Sequence, residues 1–231
     1  MIEAETWDSR TRRLIGGAAA EELAHKHVLV LGLGGVGGYA AEFLARCGVG
    51  KITLVDGDRV AVSNLNRQLP ALRSTVGEYK AEVLARRFAD INPAGNFVSV
   101  PRFIAPDGAA ELLDSAAFDG AVDAIDDVPA KTAFILECRR RGIPFVSSMG
   151  AGNKLDPGLV TVADIAKSHG CPLARAVRKR LRDAGVTRGV RVVFSPEALK
   201  TESGFGTVSY MTAAFGVRCA AELLRQMSPF R

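Results

Sequence analysis

The chain has 231 residues, enough for one fairly large domain or a domain with a small annex and too few for several independent modules. Apolar residues make up 48% and charged residues 24%, which excludes disordered, collagen-like and disulfide-scaffold classes. Thirty Lys and Arg against 25 Asp and Glu leave a net charge of +5, a mild excess that suits an anionic partner without requiring one.

The first 24 residues carry Glu3, Glu5, Asp8, Arg10, Arg12 and Arg13 and lack an apolar core of signal-peptide length. No later stretch stays apolar long enough to span a bilayer. The four cysteines, Cys47, Cys138, Cys171 and Cys219, form no Cys-x-x-Cys pair. A soluble protein of the reducing cytoplasm is expected, with no stable membrane insertion.

The fully apolar run Val28-Leu29-Val30-Leu31 is of the kind that forms a buried parallel strand. It leads into Gly32-Leu33-Gly34-Gly35-Val36-Gly37-Gly38 and then a helix over 39–46, stopped by Gly48 and Gly50. A strand over 51–55 ends at Asp56 and completes a βαβ unit. After an irregular polar stretch, a helix is predicted over 78–91, closed by Asn92-Pro93, and a third strand over 97–100. Next come a helix over 106–113, a strand over 120–125 ending at Asp126-Asp127, a helix over 129–141 and a strand over 144–149. From Gly150 the texture changes to a strand over 159–165, a strongly basic helix, a strand over 191–194 and a last helix over 209–227. That last helix suits packing on the sheet or on a second copy better than a membrane surface.

This alternation predicts an α/β fold with a doubly wound, mostly parallel, Rossmann-like sheet whose ligand sits beyond the carboxyl ends of the strands. Three parts are expected: an N-terminal arm and helix at 1–27, a nucleotide-binding domain at 28–150, and a small substrate- and dimer-facing lobe at 151–231.

The glycine loop stands after a strand and before a helix, where small residues let the backbone approach an anion and the helix dipole favours negative charge. A tight structural turn is the plain alternative. With Asp56 placed to grip a ribose, the loop alone suits NAD, FAD or ATP equally. The stretch Asp56-Gly57-Asp58 to Ser63-Asn64-Leu65-Asn66-Arg67-Gln68, followed by Lys80, favours ATP. It offers guanidinium, amide and ammonium groups to a triphosphate instead of an apolar slot for nicotinamide. Asp126, beside Asp127 at the same edge, is placed to hold magnesium against the phosphates or, alternatively, to cap the next helix. Arg67 and Lys80 could also form ordinary surface salt bridges.

With these residues in hand, the chain resembles the ubiquitin-activating-enzyme-like adenylyltransferases, which include the molybdopterin and thiamine sulfur-carrier activators. Gly32-Leu33-Gly34-Gly35-Val36-Gly37, Asp56-Gly57-Asp58, Asn64-Leu65-Asn66-Arg67-Gln68, Lys80 and Asp126 carry that resemblance. It implies that Gly35 and Asp56 hold nucleotide and ribose, that Asn64, Arg67 and Lys80 contact phosphates, and that Asp126 serves Mg2+. It implies further that Arg13 enters the partner's site in a homodimer. Sulfur-carrier activators usually carry two zinc-binding Cys-x-x-Cys pairs, which this chain lacks.

The rest of the text is similar to the branch that dehydrates threonylcarbamoyladenosine in tRNA. Stretches such as Ile91-Asn92-Pro93, Asp123-Ala124-Ile125-Asp126, Gly150-Ala151-Gly152 and Ser203-Gly204-Phe205-Gly206 carry this likeness. It departs in a shorter stretch between Leu199 and Ser203, and in Cys171, which stands where a carboxylate is expected. The resemblance implies ATP-dependent, cyclising dehydration through an acyl-adenylate, with catalysis by Arg13, Arg67, Lys80 and Asp126. It also admits a sulfur-relay or cysteine desulfurase-type protein partner.

Arg175, Arg178, Lys179, Arg180, Arg182, Arg188 and Arg191 fall within one short span. Arg175, Arg178, Lys179 and Arg182 are the expected tRNA contacts, with a solvated helix face as the plain alternative. Cys171, beside His169, could be an acyl acceptor, although a lone cysteine is more often incidental. The runner-up function is activation of the C-terminal carboxylate of a ubiquitin-like sulfur carrier. An NAD-dependent oxidoreductase and a non-catalytic nucleotide sensor are more distant alternatives.

Overall fold

The computed structural model describes residues 5–197 and 204–227. The expected shortening between Leu199 and Ser203 therefore lies outside the described residues. Its architecture follows from β1 (His27–Leu31), which is buried at every position. Val28 and Val30 enter one core while Leu29 and Leu31 enter another. Successive strand residues face opposite ways, so a strand apolar on both faces requires cover on both.

β2 (Lys51–Val55) and β3 (Asn96–Val100) lie parallel on one side of β1. β4 (Gly120–Asp123) and β5 (Phe145–Ser148) lie parallel on the other. The edge beyond β5 is made by β6 (Thr161–Asp164) and β7 (Arg191–Phe194); β7 is parallel to β5, and β6 is antiparallel to β7. The order is β3-β2-β1-β4-β5-β7-β6, the doubly wound, mostly parallel sheet expected. Residues 151–231, expected as a small lobe, thus supply two strands to this same sheet.

α1 (Ser9–Ile15) and α2 (Gly17–Ala24) precede the sheet. α3 (Gly37–Arg46), α4 (Lys80–Ile91) and the final helix cover one face; α5 (Gly108–Asp114), α6 (Val128–Arg141) and α7 (Pro172–Asp183) cover the other. The final helix, α8 (Ser209–Met227), places Met211, Phe215, Cys219 and Leu223 in the core at four-residue spacing. Among the described residues no helix is long and apolar enough to cross a membrane.

Several boundaries differ from the sequence-based expectation, among them the strand expected over 120–125, which ends at Asp123, and the helix expected from 106, which starts at Gly108; two further shifts have clear local reasons. α4 starts at Lys80, because the Val60 N–H donates to the Glu78 carbonyl at 2.8 Å and Arg59 bridges Tyr79, which keeps the chain extended. The strand expected over 159–165 is cut to Thr161–Asp164, because Asp164 Oδ1 accepts the Ala166 N–H at 2.8 Å and turns the chain. What matters for the site is the reversal of strand order. The chain leaves β1 toward β2 and later crosses to β4, and a crevice opens beyond the carboxyl ends of β1 and β4.

Candidate functional site

A cavity of about 450 Å³ occupies that crevice. Its floor is the glycine loop. Gly32 has φ 86°, and a Cβ there would meet the Ala124 backbone and Ile125 Cγ2 at 2.9 Å. A Cβ on Gly37 would run into the Gly32 carbonyl, so only glycine lets the loop lie this close to the end of β4. Gly34 and Gly35 border the cavity. Beneath Gly35 stands Thr212 of α8, whose hydroxyl donates to the Ser209 carbonyl at 2.9 Å and reaches the Arg67 carbonyl at 3.4 Å.

Asp56 follows β2 and accepts two backbone donors, the Leu33 N–H at 2.6 Å and the Asp58 N–H at 2.8 Å. Burial pushes its carboxyl above the ordinary value, opposed by those amides and by the Lys80 ammonium. Lys80 is only 3% exposed, and its Nζ donates to Asp58 Oδ2 at 2.7 Å. The salt bridge that the sequence allowed is real, but its cation is buried at the cavity wall.

The polar arc after β2 divides its work. Arg67 lines the cavity, and its Nη1 donates to the Ser63 carbonyl and to Asn66 Oδ1, both at 2.9 Å. Gln68 lines the cavity and is buried, and its Oε1 lacks any hydrogen-bond partner, an orphaned acceptor that calls for an explanation. Ser63, Asn64 and Asn66 do not line the cavity. Asn64 Oδ1 instead accepts the Ala61 N–H at 3.1 Å, shaping the turn that carries Arg67.

Asp126 and Asp127 border the cavity from the end of β4. Capping belongs to Asp127, whose Oδ1 accepts the Ala130 N–H of α6 at 2.8 Å. Asp126 is exposed, and its carboxylate has no partner among the described residues. Below this turn lies a network the sequence reading did not single out. Lys131 and Asp123 are fully buried and paired at 2.9 Å; Lys131 Nζ also donates to the Ile125 carbonyl at 2.8 Å, and the Ser147 hydroxyl donates to Asp123 at 2.5 Å. Two charges out of water are tolerable only with such pairing. The ammonium thereby fastens the turn that presents Asp126.

The other expected residues lie apart. Arg13 on α1 is exposed, pairs with Glu5 at 3.6 Å and does not reach the cavity of its own chain. α7 buries Ala174, Val177 and Leu181 and exposes Arg175, Lys179 and Arg182. Lys179 pairs with Asp183 at 2.9 Å. Arg178 is engaged inward: its Nη1 donates to the Ser168 carbonyl and hydroxyl, both at 2.7 Å. Further cavity residues not assigned a role from sequence are Phe103, which stands against Gly57, and Phe205, which stands over Gly152. Phe205 stands between Gly204 and Gly206, which is its only sequence signal, and Phe103 has none.

The described residues hold no group of three or more His, Cys, Asp or Glu placed for a metal. A lone, unpartnered carboxylate does fit Mg2+, which binds through one or two carboxylates together with phosphate oxygens and water. The cavity thus joins an anion-accepting backbone loop, the three cations Arg67, Lys80 and Arg102, a buried amide with an unsatisfied oxygen and one carboxylate without a partner among the described residues.

The sequence matches the ThiF family over residues 8–230. It is 40% identical to the tRNA threonylcarbamoyladenosine dehydratase of Escherichia coli (strain K12), covering 98% of this chain and 96% of that protein. It is 45% identical to the protein of the same description from Bacillus subtilis (strain 168), over 82% of this chain and 74% of that one. Among solved structures, the E. coli dehydratase in complex with ATP superimposes with a TM-score of 0.92 at 43% identity, covering 98% of this chain and 97% of that one.

Proposed function

The chain belongs to the ThiF family, and from that premise we propose that it uses ATP to drive the cyclising dehydration of threonylcarbamoyladenosine in tRNA. The observation that carries this reading is the convergence of Lys80, Arg67 and the unpartnered Asp126 on the glycine loop within one cavity. Two curated relatives reported above are named for action on that nucleoside.

In the first step a carboxylate oxygen of the threonyl side chain bonds to the α-phosphorus of ATP, and the bond from that phosphorus to the bridging oxygen breaks. Pyrophosphate leaves with the electron pair, and an acyl-adenylate remains. A neighbouring group of the same side chain then attacks the acyl carbon and expels AMP. Water is lost overall, and no enzymic nucleophile is needed. Asp56 binds the ribose, the Gly34 and Gly35 backbone approaches the phosphates, and Gln68 offers an open amide. Lys80, shared with Asp58, and Arg67 stabilise charge gathering on the transferring phosphate. Both carbonyl and attacking group belong to one side chain, so ring closure is unimolecular once the site holds it. Mg2+, held through Asp126, would neutralise phosphate charge.

Under this reading residues 28–150 bind nucleotide, and residues 151–231 face the RNA, with Arg175, Lys179 and Arg182 on the exposed side of α7. The protein works in the cytoplasm as a homodimer, Arg13 serving its partner's site, and a sulfur-relay protein of the cysteine desulfurase type is its candidate protein partner. The test is incubation with ATP, magnesium and tRNA carrying threonylcarbamoyladenosine. AMP release together with the loss of one water from the nucleoside, read by mass spectrometry, is the expected result. AMP formed only on addition of a ubiquitin-like protein would support carrier activation instead.

A further inference from the structure

We propose that Phe205 is a stacking platform for a nucleobase of the RNA substrate; this rests on the function proposed above and adds how the same cavity selects a nucleoside. Phe205 is 80% exposed although it lines the cavity. Its ring lies over Gly152 so closely that a Cβ there would run into Cζ and Cε2. A single exposed apolar side chain is ordinary on a protein surface. What distinguishes this one is how firmly the chain holds it in water.

The Asn153 N–H donates to the Gly206 carbonyl at 2.8 Å, and the Gly206 N–H donates back to Asn153 Oδ1 at 2.7 Å. Asn153 takes φ 54° in making this clip, the only positive φ outside glycine among the described residues, and such strain collects at functional sites. On the other side, Asn66 Nδ2 donates to the Thr207 carbonyl at 3.1 Å, tying the loop to the arc that carries Arg67. The residues next to the ring are therefore fastened to two walls of the cavity while the ring itself meets solvent.

Position separates this ring from the nucleotide's ribose. Asp56 follows β2 and Gly152 follows β5, three strands apart in the sheet, or about 14 Å at ordinary strand spacing. Between them lie the glycine loop and Asp126, where phosphate and carboxyl would react. A flat apolar surface on the far side of the reacting centre fits the π-face of an unstacked base in a single-stranded loop, which is how proteins usually read RNA.

The experiment measures AMP release against tRNA concentration for the full chain and for Phe205→Ala, Phe205→Leu and Phe205→Trp, with ATP binding followed by calorimetry and size by light scattering. The expected result is a KM for tRNA about 5- to 150-fold higher in Phe205→Ala, the range that loss of one base–aromatic stack produces. Phe205→Trp retains wild-type KM, Phe205→Leu does not, and ATP affinity is the same in all. An unchanged KM in Phe205→Ala, full rescue by Leu, or dissociation of an oligomer in Phe205→Ala would overturn the platform. Wild-type chain that releases no AMP with this tRNA would overturn the function itself, and the platform with it. Normal wild-type turnover with an unaffected Phe205→Ala removes the platform alone.

Discussion

Cys171 separates the two adenylating readings at the level of one atom. Its Sγ is buried and stands 3.5 Å from the Ala174 N–H, where it caps α7. A carboxylate, which the resemblance leads one to expect here, would accept that donor more strongly. The cavity does not include the sulfur. The other buried thiols are no better placed for acyl transfer, since burial holds Cys138 far up and pushes Cys219 up to about 12, and the thiolate is the nucleophile. Cys171→Ala is therefore expected to lower stability by about 0.5–1 kcal/mol, the low end for a lost cap, with tRNA-dependent AMP release unchanged. Denaturant midpoints and steady-state turnover measure the two effects. Loss of turnover in a folded variant would restore a thiol acceptor to the mechanism.

The join between α8 and β7 depends on another carboxylate, Glu222. Its side chain is 5% exposed and accepts from Arg225 Nη2 at 2.9 Å, Arg191 Nε at 3.0 Å and Gln226 Nε2 at 2.9 Å. Burial alone would raise this carboxyl; the Arg225 and Arg191 guanidiniums and the Gln226 amide outweigh it and hold the group at about 2, against an ordinary value of 4.5. A carboxyl depressed by folding stabilises the fold above its unfolded value, and that contribution is lost as pH falls toward the folded one. Glu222→Gln is thus expected to cost about 2–3 kcal/mol near neutral pH, and the gap to wild type should narrow by about half between pH 5 and pH 3. Urea midpoints across that range supply the check, and a gap independent of pH would contradict it. Elements of this kind were legible from sequence where one period dominates: β2 and α8 appear with the expected bounds because an apolar run and a long four-residue stripe admit one reading. Legibility failed where tertiary partners decide. Lys131 reads as a surface residue of a helix until Asp123 is found beneath it, and Arg178 reads as part of an RNA-facing cluster until the Ser168 carbonyl is found beside it. In the site, motif spacing located the cavity-lining Arg67, Lys80 and Asp126, whereas the Asn153–Gly206 clip joins residues far apart in sequence and has no local pattern.

At the scale of the whole molecule, one chain lacks part of its expected machinery. α1 buries none of its residues, Leu14 on it is 86% exposed, and Arg13 stands away from the cavity. An apolar side chain presented by a short basic helix suits an interface between two copies, and a closed twofold dimer would carry each α1 to the other subunit. Arg13→Ala should then lower turnover about 100-fold, as removal of one charge-stabilising donor does, while ATP binding by the isolated variant stays close to wild type. Lys80→Ala should disable the site of its own chain. If the defects lie in different subunits of one site, mixing the two inactive variants and allowing exchange rebuilds one intact site in each mixed dimer. Random reassortment makes half of the dimers mixed, so about a quarter of all sites recover. AMP release from the mixture, against each variant alone, reads this directly. Recovery to that level requires Arg13 to act across the dimer. A mixture no more active than its components would place Arg13 outside the partner's site, and the cavity of a single chain would have to perform the chemistry unaided.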